Sequence, residues 1–301
     1  MPRVSVIIPA YNRKAMLCEA VDSVLAQNYR DFALFVVDDG STDGTAEELA
    51  VRYGERVRVL RQANGGVAAA RNFGVRCSDS EYIAFLDSDD LWRPKKLALQ
   101  VKFMEADSRR RICQTEEIWI RNGVRVNAKT KHRKPAGDVF RASLELCLVS
   151  PSAVLMKRGL FDEVGGLDET FPVCEDYDLW LRISRDHRIE LVRDALVIKR
   201  GGHADQLSRS TWGFDRFRVR ALQKLLRSGL TGEKRAWTID ALARKANILA
   251  AGARKRGREG EALEYDNLAA EFIGESDGRG DPVVLPEQGL SPAYRGALAR
   301  L

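Results

Sequence analysis

Four short apolar runs, Val4–Pro9, Phe32–Val37, Val57–Leu60 and Tyr82–Leu86, recur early in the chain with helix-forming stretches between them. After the first run, Leu17, Val21, Val24 and Leu25 fall at helical spacing, which predicts an amphipathic helix. Thr45-Ala-Glu-Glu48 has the pattern of a capping box and predicts a helix start after the second. Gly65-Gly66 and the helix formers of Val67–Val75 follow the third run, and Pro94 suits the first position of a helix after the fourth. Parallel strands need a crossover connection, and a helix is the compact one. Such alternation therefore predicts an α/β fold: a Rossmann-like, mostly parallel sheet flanked by helices.

Each run ends in polar residues. Loops that leave parallel strands lie on one edge of the sheet, so Tyr11, Asp39 and Asp87–Asp89 are expected to converge there. The fourth run ends most abruptly, in Asp87-Ser88-Asp89-Asp90 ahead of Trp92 and Pro94. Paired carboxylates of this kind hold a hard divalent cation on a diphosphate, although an isolated Asp-X-Asp is more often a solvated acidic turn. Asp38-Asp39-Gly40-Ser41 taken singly is turn chemistry. There is no GxxxxGK[ST] loop and no GxGxxG after the first strand, so a glycine-rich anion nest is not how this sheet holds a nucleotide.

The middle of the chain adds a second chemical centre. Asn122-Gly123, between Ile112–Ile120 and Val124–Val126, predicts a hairpin. Lys129–Lys134 is read as a mobile basic loop, either a solvated surface run or a flap over an anionic substrate. Ser152–Met156 is a further expected strand, Gly159–Asp168 a short helix closed by glycines, and Arg188–Val192 with Ala195–Lys199 a second hairpin. Glu175-Asp176 opens an expected helix, where acids are favoured by the helix N-terminus whether or not they do chemistry. His203 follows two glycines, where a loop histidine is commoner than a ligand.

Ser5–Asn12, Val36–Gly44, Asn64–Asn72 and Phe85–Asp90 occur in an order and spacing that resembles the nucleotide-binding half of family 2 glycosyltransferases, which have the GT-A fold. The resemblance implies a nucleoside-diphosphate-sugar donor, UDP-linked by default, and inverting transfer to a hydroxyl. It implies that Pro9, Ala10 and Tyr11, with Asn12, line the base and ribose site. Asp39 would contact the base, and Arg71 would lie near base or phosphates. Asp87 and Asp89 would bind Mn2+ or Mg2+, with His203 as a third ligand, and Asp90 would cap the turn. Asp176 would be the general base and Glu175 its neighbour, with Asp178 outward-facing or structural. Ser88, Trp180 and Gln206 complete the expected substrate-binding set, Gln206 and Ser208 for phosphate or acceptor. A non-catalytic nucleotide-sugar-binding protein of the same fold is the alternative. A sugar nucleotidyltransferase is disfavoured, because Pro9-Ala-Tyr-Asn12 is not its basic, glycine-rich loop.

On this reading residues 1–210 form the catalytic domain, divided near 107 into nucleotide-sugar and acceptor halves. The resemblance fades after about Ser210. From Gly213 to Arg258 there are 13 Lys or Arg against 3 Asp or Glu. Residues 211–274 are expected to be a basic helical extension, able to meet an anionic membrane where lipid-linked acceptors sit. Residues 275–301 are expected to be a loosely ordered tail. No apolar run approaches the roughly 20 residues of a membrane span, and the start of the chain lacks a signal-peptide pattern. Five scattered cysteines without CxxC spacing suit reduced thiols. A net charge of +6 does not by itself call for nucleic acid. The expected setting is the cytoplasm, with peripheral contact at the inner membrane surface and a saccharide or lipid-linked acceptor.

Overall fold

The computed structural model describes residues 1–127, 132–202 and 213–273, together with Arg295. The chain divides into two compact units, Met1–Val139 with Leu148–Ser210, and Phe140–Cys147 with Thr211–Leu301. The strands are β1 (Val4–Ala10), β2 (Phe32–Asp38), β3 (Arg58–Arg61), β4 (Tyr82–Phe85), β5 (Leu91–Trp92), β6 (Ile112–Arg121), β7 (Val124–Val126), β8 (Leu155–Lys157) and β9 (Glu190–Gly201). The first helices are α1 (Lys14–Leu25), α2 (Thr45–Tyr53), α3 (Gly66–Arg76), α4 (Lys96–Glu105) and α5 (Phe140–Glu145). After them come α6 (Arg158–Glu163), α7 (Glu175–Asp186), α8 (Phe214–Arg227), α9 (Gly232–Arg254), α10 (Glu259–Asn267) and α11 (Ala270–Ile273). All but α5 and α8–α11 belong to the first unit.

The strands of the first unit form one sheet in the order β3-β2-β1-β4-β8-β6-β9-β5, with β7 paired to β6. The four strands read from the alternating pattern pair in parallel, with Ala10 level with Asp38 and Ile7 level with Phe85. The predicted convergence follows: the ends of β1, β2 and β4 open on one edge. Every residue of β1 is buried, as expected where helices cover both faces of a central strand. Helix α3 seats directly on this strand. A Cβ at Gly74 would lie 2.6 Å from Ile7 Cγ2 and 3.1 Å from Val37 Cγ2, so only glycine permits the approach. One turn earlier on α3, Arg71 is thereby brought down to the functional edge.

Beyond β4 the sheet is mixed rather than mostly parallel. β8 runs antiparallel to both β4 and β6, and β5 antiparallel to β9, while β9 runs parallel to β6. The expected hairpin over 188–199 is instead one strand. Its register against β6 slips between Thr115 and Glu117, and the polar pair Arg193-Asp194 is absorbed in the irregularity. A bulge accommodates extra residues without reversing the chain. The Asn122-Gly123 hairpin does form, with φ of 49° and 76° at its two turn residues, the left-handed pair that a tight two-residue turn requires. The capping box at Thr45 does not form: Gly44 occupies the cap, and Asp43 accepts bonds from the Thr45 backbone and hydroxyl. The strand expected from Ser152 begins at Leu155, after a short 3-10 turn over Pro151–Ala153. Helix α4 starts two residues past Pro94, and Leu91-Trp92, ahead of that proline, pairs with β9.

The second unit is helical. α9 packs against α5, α8 and α10, and its inner face presents Ala246, Ala250 and Ala253, the last two meeting Ala262 of α10. Small side chains let helix backbones lie close. Several of its cations are paired: Arg244 with Asp240 and Glu145, Arg254 with Asp266. Among the described residues no helix is long and apolar enough to cross a membrane. None of the five cysteines forms a disulfide.

Candidate functional site

At the carboxyl ends of β1 and β2 opens a cavity of about 560 Å³, lined by Pro9–Arg13, Asp39, Asn64, Gly66, Ala70 and Pro172. Pro9 and Ala10 are buried in its floor, and Tyr11 stands 49% exposed at its mouth, where a flat aromatic face is open to stacking. The loop carrying Tyr11 is pinned rather than loose. Asn12 sits in the left-handed region at φ 50°, donates its backbone N–H to Ser41 Oγ at 2.9 Å, and accepts from Thr42 N–H at 2.8 Å. Asp39 lines the cavity and fastens the next wall. Its carboxylate accepts Gln62 Nε2 at 2.7 Å and the N–H groups of Gly65 and Gly66 at 2.9 and 2.8 Å.

The acids after β4 lie beside this cavity's Arg13. Asp87, Asp89 and Asp90 bring one carboxylate oxygen each within 4.8 Å of one another, a spacing that suits one divalent cation. Their partners separate them into two kinds. Asp90 is 1% exposed; it accepts Ser152 Oγ at 2.7 Å and Arg200 N–H at 2.9 Å. Ser152 Oγ in turn accepts Asp87 N–H at 3.1 Å, and the Ser152 carbonyl accepts Trp92 Nε1 at 2.8 Å. Asp90 is thus the anchor of the turn. Burial, aided by the Asp87 and Asp89 charges and opposed by Lys199, pushes its carboxyl up to about 8. Asp87 and Asp89 are less buried and pair with cations: Asp87 Oδ1 with Arg71 Nη2 at 2.6 Å, Asp89 Oδ2 with Arg13 Nη1 at 2.8 Å. Ser88 is buried between them.

Arg71 joins the two chemical centres read from the sequence. It is buried, and its other terminal nitrogen binds Glu175 Oε1 at 2.7 Å, at the start of α7. Burial alone would lower its pKa, but Asp87 and Glu175 outweigh burial and hold the guanidinium charged. Glu175 is raised to about 7, by burial first and by the Asp176 charge second, against the pull of Arg71. Asp176, the next residue, is partly exposed and accepts the Tyr177 N–H at 2.7 Å. The cap of α7 is Cys174 at φ 64°, an unusual conformation for a side chain with a Cβ and a place where backbone strain is stored. Two readings narrow on this helix. Asp178 is structural and buried, its Oδ2 accepting both Nε and Nη2 of Arg182, which also binds the carbonyls of Val164 and Gly166. Trp180, expected to meet substrate, is 2% exposed with its indole N–H unpartnered, so it lies inside the fold rather than on a ligand-facing wall.

Several contributors were not legible in the sequence. Lys199 on β9 binds Ser150 Oγ at 3.2 Å. Burial would lower its pKa, but Glu117, Asp90, Asp87 and Asp176 raise it overall, so a fixed cation faces both acidic centres. Arg200 binds the Asp89 carbonyl and Glu19. Lys134, from the stretch expected to be a mobile loop, is buried in an ion pair with Glu117 at 3.1 Å. Packing against β6 removes it from solvent, and His132 lies against the Trp119 ring at 5.2 Å. No spacing rule links residues this far apart in sequence. His203, Gln206 and Ser208 lie outside the described residues, as do 128–131 and 274–294.

Lys96 is fully buried, with Nζ bound to Gln100 Oε1 at 2.7 Å and Val154 O at 3.3 Å and placed 3.9 Å from the Trp92 ring centroid. Burial drives its pKa down from 10.5 to about 7. Between those values the unfolded chain binds the extra proton, so raising pH favours the fold. This contribution is complete above 10.5 and is lost as pH falls through about 7. Wild type is therefore expected to gain stability over Lys96→Met between pH 7 and 10. Urea midpoints measured at both pH values would check it; a constant difference would show that Lys96 stays charged in the fold.

Residues 5–165 match the family Glycosyl transferase family 2. Over 220 residues the chain is 33% identical to an uncharacterized glycosyltransferase of Rickettsia felis, covering 69% of this chain and 35% of that one. It is 30% identical over 197 residues to the Escherichia coli UDP-Glc:alpha-D-GlcNAc-diphosphoundecaprenol beta-1,3-glucosyltransferase WfgD, covering 64% and 74% of the two chains. The chain spans about a third of the length of the first curated relatives it matches. The crystal structure of Staphylococcus aureus TarS 1-349 in complex with UDP-GlcNAc superposes with a TM-score of 0.71 at 20% identity, covering 90% of this chain and 80% of that one. That likeness establishes the GT-A architecture.

Proposed function

The chain belongs to glycosyl transferase family 2, and from that premise we propose that it moves a sugar from a nucleoside-diphosphate sugar, UDP-linked by first choice, to a hydroxyl of a saccharide or lipid-linked acceptor. The observation that carries the reading is Arg71, whose guanidinium ties Asp87 to Glu175 and so sets the acids after β4 against the start of α7, with the 560 Å³ cavity on the same sheet edge. In this reading base and ribose lie in the cavity against Tyr11 and the Pro9-Ala10 floor. Asp87 and Asp89 are the residues that would hold Mn2+ or Mg2+; Asp90 is spent on Ser152 and Arg200. The cation, when bound, neutralises charge that develops on the departing diphosphate.

Asp176 takes the acceptor proton as the hydroxyl oxygen forms its bond to the anomeric carbon. The bond from that carbon to the phosphate oxygen breaks in the same displacement, inverting the centre. Glu175, the more buried neighbour, keeps to Arg71, which leaves Asp176 as the base. Lys199 adds a fixed positive charge facing both acidic groups. Residues 211–274 serve as a basic helical extension to the catalytic domain of 1–210, favouring anionic surfaces at the membrane.

The test is a thermal-shift panel of UDP, GDP and dTDP, each with and without Mn2+. A ligand that binds only the folded chain raises its melting temperature, the more so the further its concentration exceeds its Kd. UDP with Mn2+ is expected to give the largest rise, and Asp89→Ala to remove the metal-dependent part of it. A panel in which no nucleotide shifts the transition would overturn the donor assignment.

A further inference from the structure

We propose that Lys199 is a further catalytic residue: its ammonium meets the terminal phosphate of the sugar donor's diphosphate and stabilises the charge that gathers there as the sugar departs. The inference rests on the nucleoside-diphosphate-sugar reading above and adds a protein group for the leaving oxygen.

Two neighbouring contacts fix where Lys199 stands. The next residue on its strand binds the acidic turn twice: Arg200 N–H donates to Asp90 Oδ1 at 2.9 Å, and the Arg200 side chain donates to the Asp89 carbonyl. Lys199 Nζ itself donates to Ser150 Oγ at 3.2 Å. Ser150 caps the short turn whose Ser152 holds the Asp90 carboxylate and accepts the Asp87 N–H. The ammonium is thus tethered beside the acidic turn, where its charge acts on Asp87 and Asp90 and also on Asp176 of α7. In the reading above the diphosphate lies on the first group and the acceptor hydroxyl on Asp176, so the breaking bond falls between them.

The binding capacity of this cation is not used up. An ammonium has three N–H groups. Among the described residues, the bond to Ser150, a neutral hydroxyl, is the one Lys199 makes, and no carboxylate pairs with it directly. Glu117, the acid that acts on it most strongly, is paired with Lys134 at 3.1 Å. Asp87 is held by Arg71, and Asp90 by Ser152 and Arg200. These acids have partners of their own, and Lys199, partly exposed, keeps N–H groups for an incoming anion. Two other cations here are closed off: Arg71 is buried between Asp87 and Glu175, and Arg200 is engaged by the Asp89 carbonyl and Glu19.

The reacting sugar and the acceptor hydroxyl are neutral, so the diphosphate is the anion that a fixed ammonium selects. In the step, the bond from the anomeric carbon to the phosphate oxygen breaks, and its electron pair stays on that oxygen. Lys199 keeps its proton throughout. Its hydrogen bond strengthens as the negative charge grows, which favours the transition state over the bound sugar donor.

The experiment measures calorimetric affinities of the full chain for UDP, UMP, GDP and GMP with Mn2+, in wild type, Lys199→Met, Lys199→Arg and Ser150→Ala. Contact with the terminal phosphate is felt by the diphosphates alone. Lys199→Met is expected to lower the diphosphate-to-monophosphate affinity ratio about ten- to a hundredfold, the size of a hydrogen bond to a charged group, with monophosphate affinity unchanged. Lys199→Arg is expected to keep most of the ratio. Ser150→Ala, which unties the ammonium but keeps its charge, is expected to lower it by roughly threefold, a small part of the full contact, and carries the test should Lys199→Met not fold. UDP release from UDP-glucose and UDP-N-acetylglucosamine is expected to slow about 10²-fold in Lys199→Met, in kcat rather than in KM. A role confined to bracing the fold predicts equal losses for mono- and diphosphates, or a ratio like that of wild type, and either result would overturn the assignment. A lowered ratio with unchanged kcat would overturn its catalytic part. If wild type binds none of the four nucleotides, the donor reading fails and this assignment with it; if wild type prefers diphosphates and the variants keep that preference, the assignment alone fails.

Discussion

Replacing Asp176 by asparagine is expected to lower turnover by about 10²- to 10⁴-fold, the usual contribution of a positioned base, while the melting-temperature rise produced by UDP and Mn2+ stays in place. Turnover is read as UDP released from UDP-glucose and UDP-N-acetylglucosamine, with water or sugar as acceptor. The separation of the two readouts comes from geometry. Asp176 stands in the first turn of α7, partly exposed and bonded to the Tyr177 N–H, whereas Glu175 beside it is buried on Arg71. Amidation at 176 removes the proposed proton acceptor and leaves the Arg71 bridge and the cavity beside β1 untouched. Full turnover in the variant would transfer the role elsewhere, and Glu175, poised near pH 7, would be the first residue to examine.

Arg71→Met is expected to be the most destabilising single change in the site, by about 3–5 kcal/mol, the range for breaking one side of a buried ion pair. Two carboxylates lose their cation together, Asp87 at 27% side-chain exposure and Glu175 at 6%. Their fates differ. Asp87 can turn to water, but Glu175 cannot, and it escapes only by taking up a proton. Its carboxyl is already raised to about 7 with Arg71 present, and removing the cation raises it further. The folded variant therefore binds a proton that its unfolded chain, with an ordinary glutamate, does not. Stability gained in this way is present at low pH and is lost as pH rises through the raised value. The deficit against wild type should be smaller at pH 6 than at pH 8, measured by urea unfolding at each. An equal deficit at both would locate the loss at Asp87.

The sequence made the first half of the sheet legible because each strand there is a compact apolar run followed by a polar loop. Parallel pairing then brings such loops to one edge with no further information. It was silent about the partners. Arg71 reaches Glu175 across 104 positions and Arg200 reaches Asp90 across 110, and nothing in either neighbourhood announces the contact. Where local signals misled, tertiary context had prevailed. Arg193-Asp194 reads as a turn, yet the long parallel match to β6 keeps β9 running through it. Lys134 reads as part of a solvated basic run, yet Glu117 draws it into the interior. Trp180 reads as an aromatic near the second acidic centre, but helical geometry turns it inward. Asp90 was the opposite case: its place before Pro94 suggested a capping role, and two hydrogen bonds hold it in the turn.

The second unit borrows α5 from the middle of the chain. That loan decides how the molecule can be dissected. Severing the polypeptide after Ser210 would retain Phe140 and Leu144, both buried in the intact chain, while discarding α9, against which α5 packs. The fragment would wear an orphaned greasy turn on its outside, and such patches draw molecules together. A clean excision of the first unit needs two cuts and a splice from Val139 to Leu148, not a single stop codon.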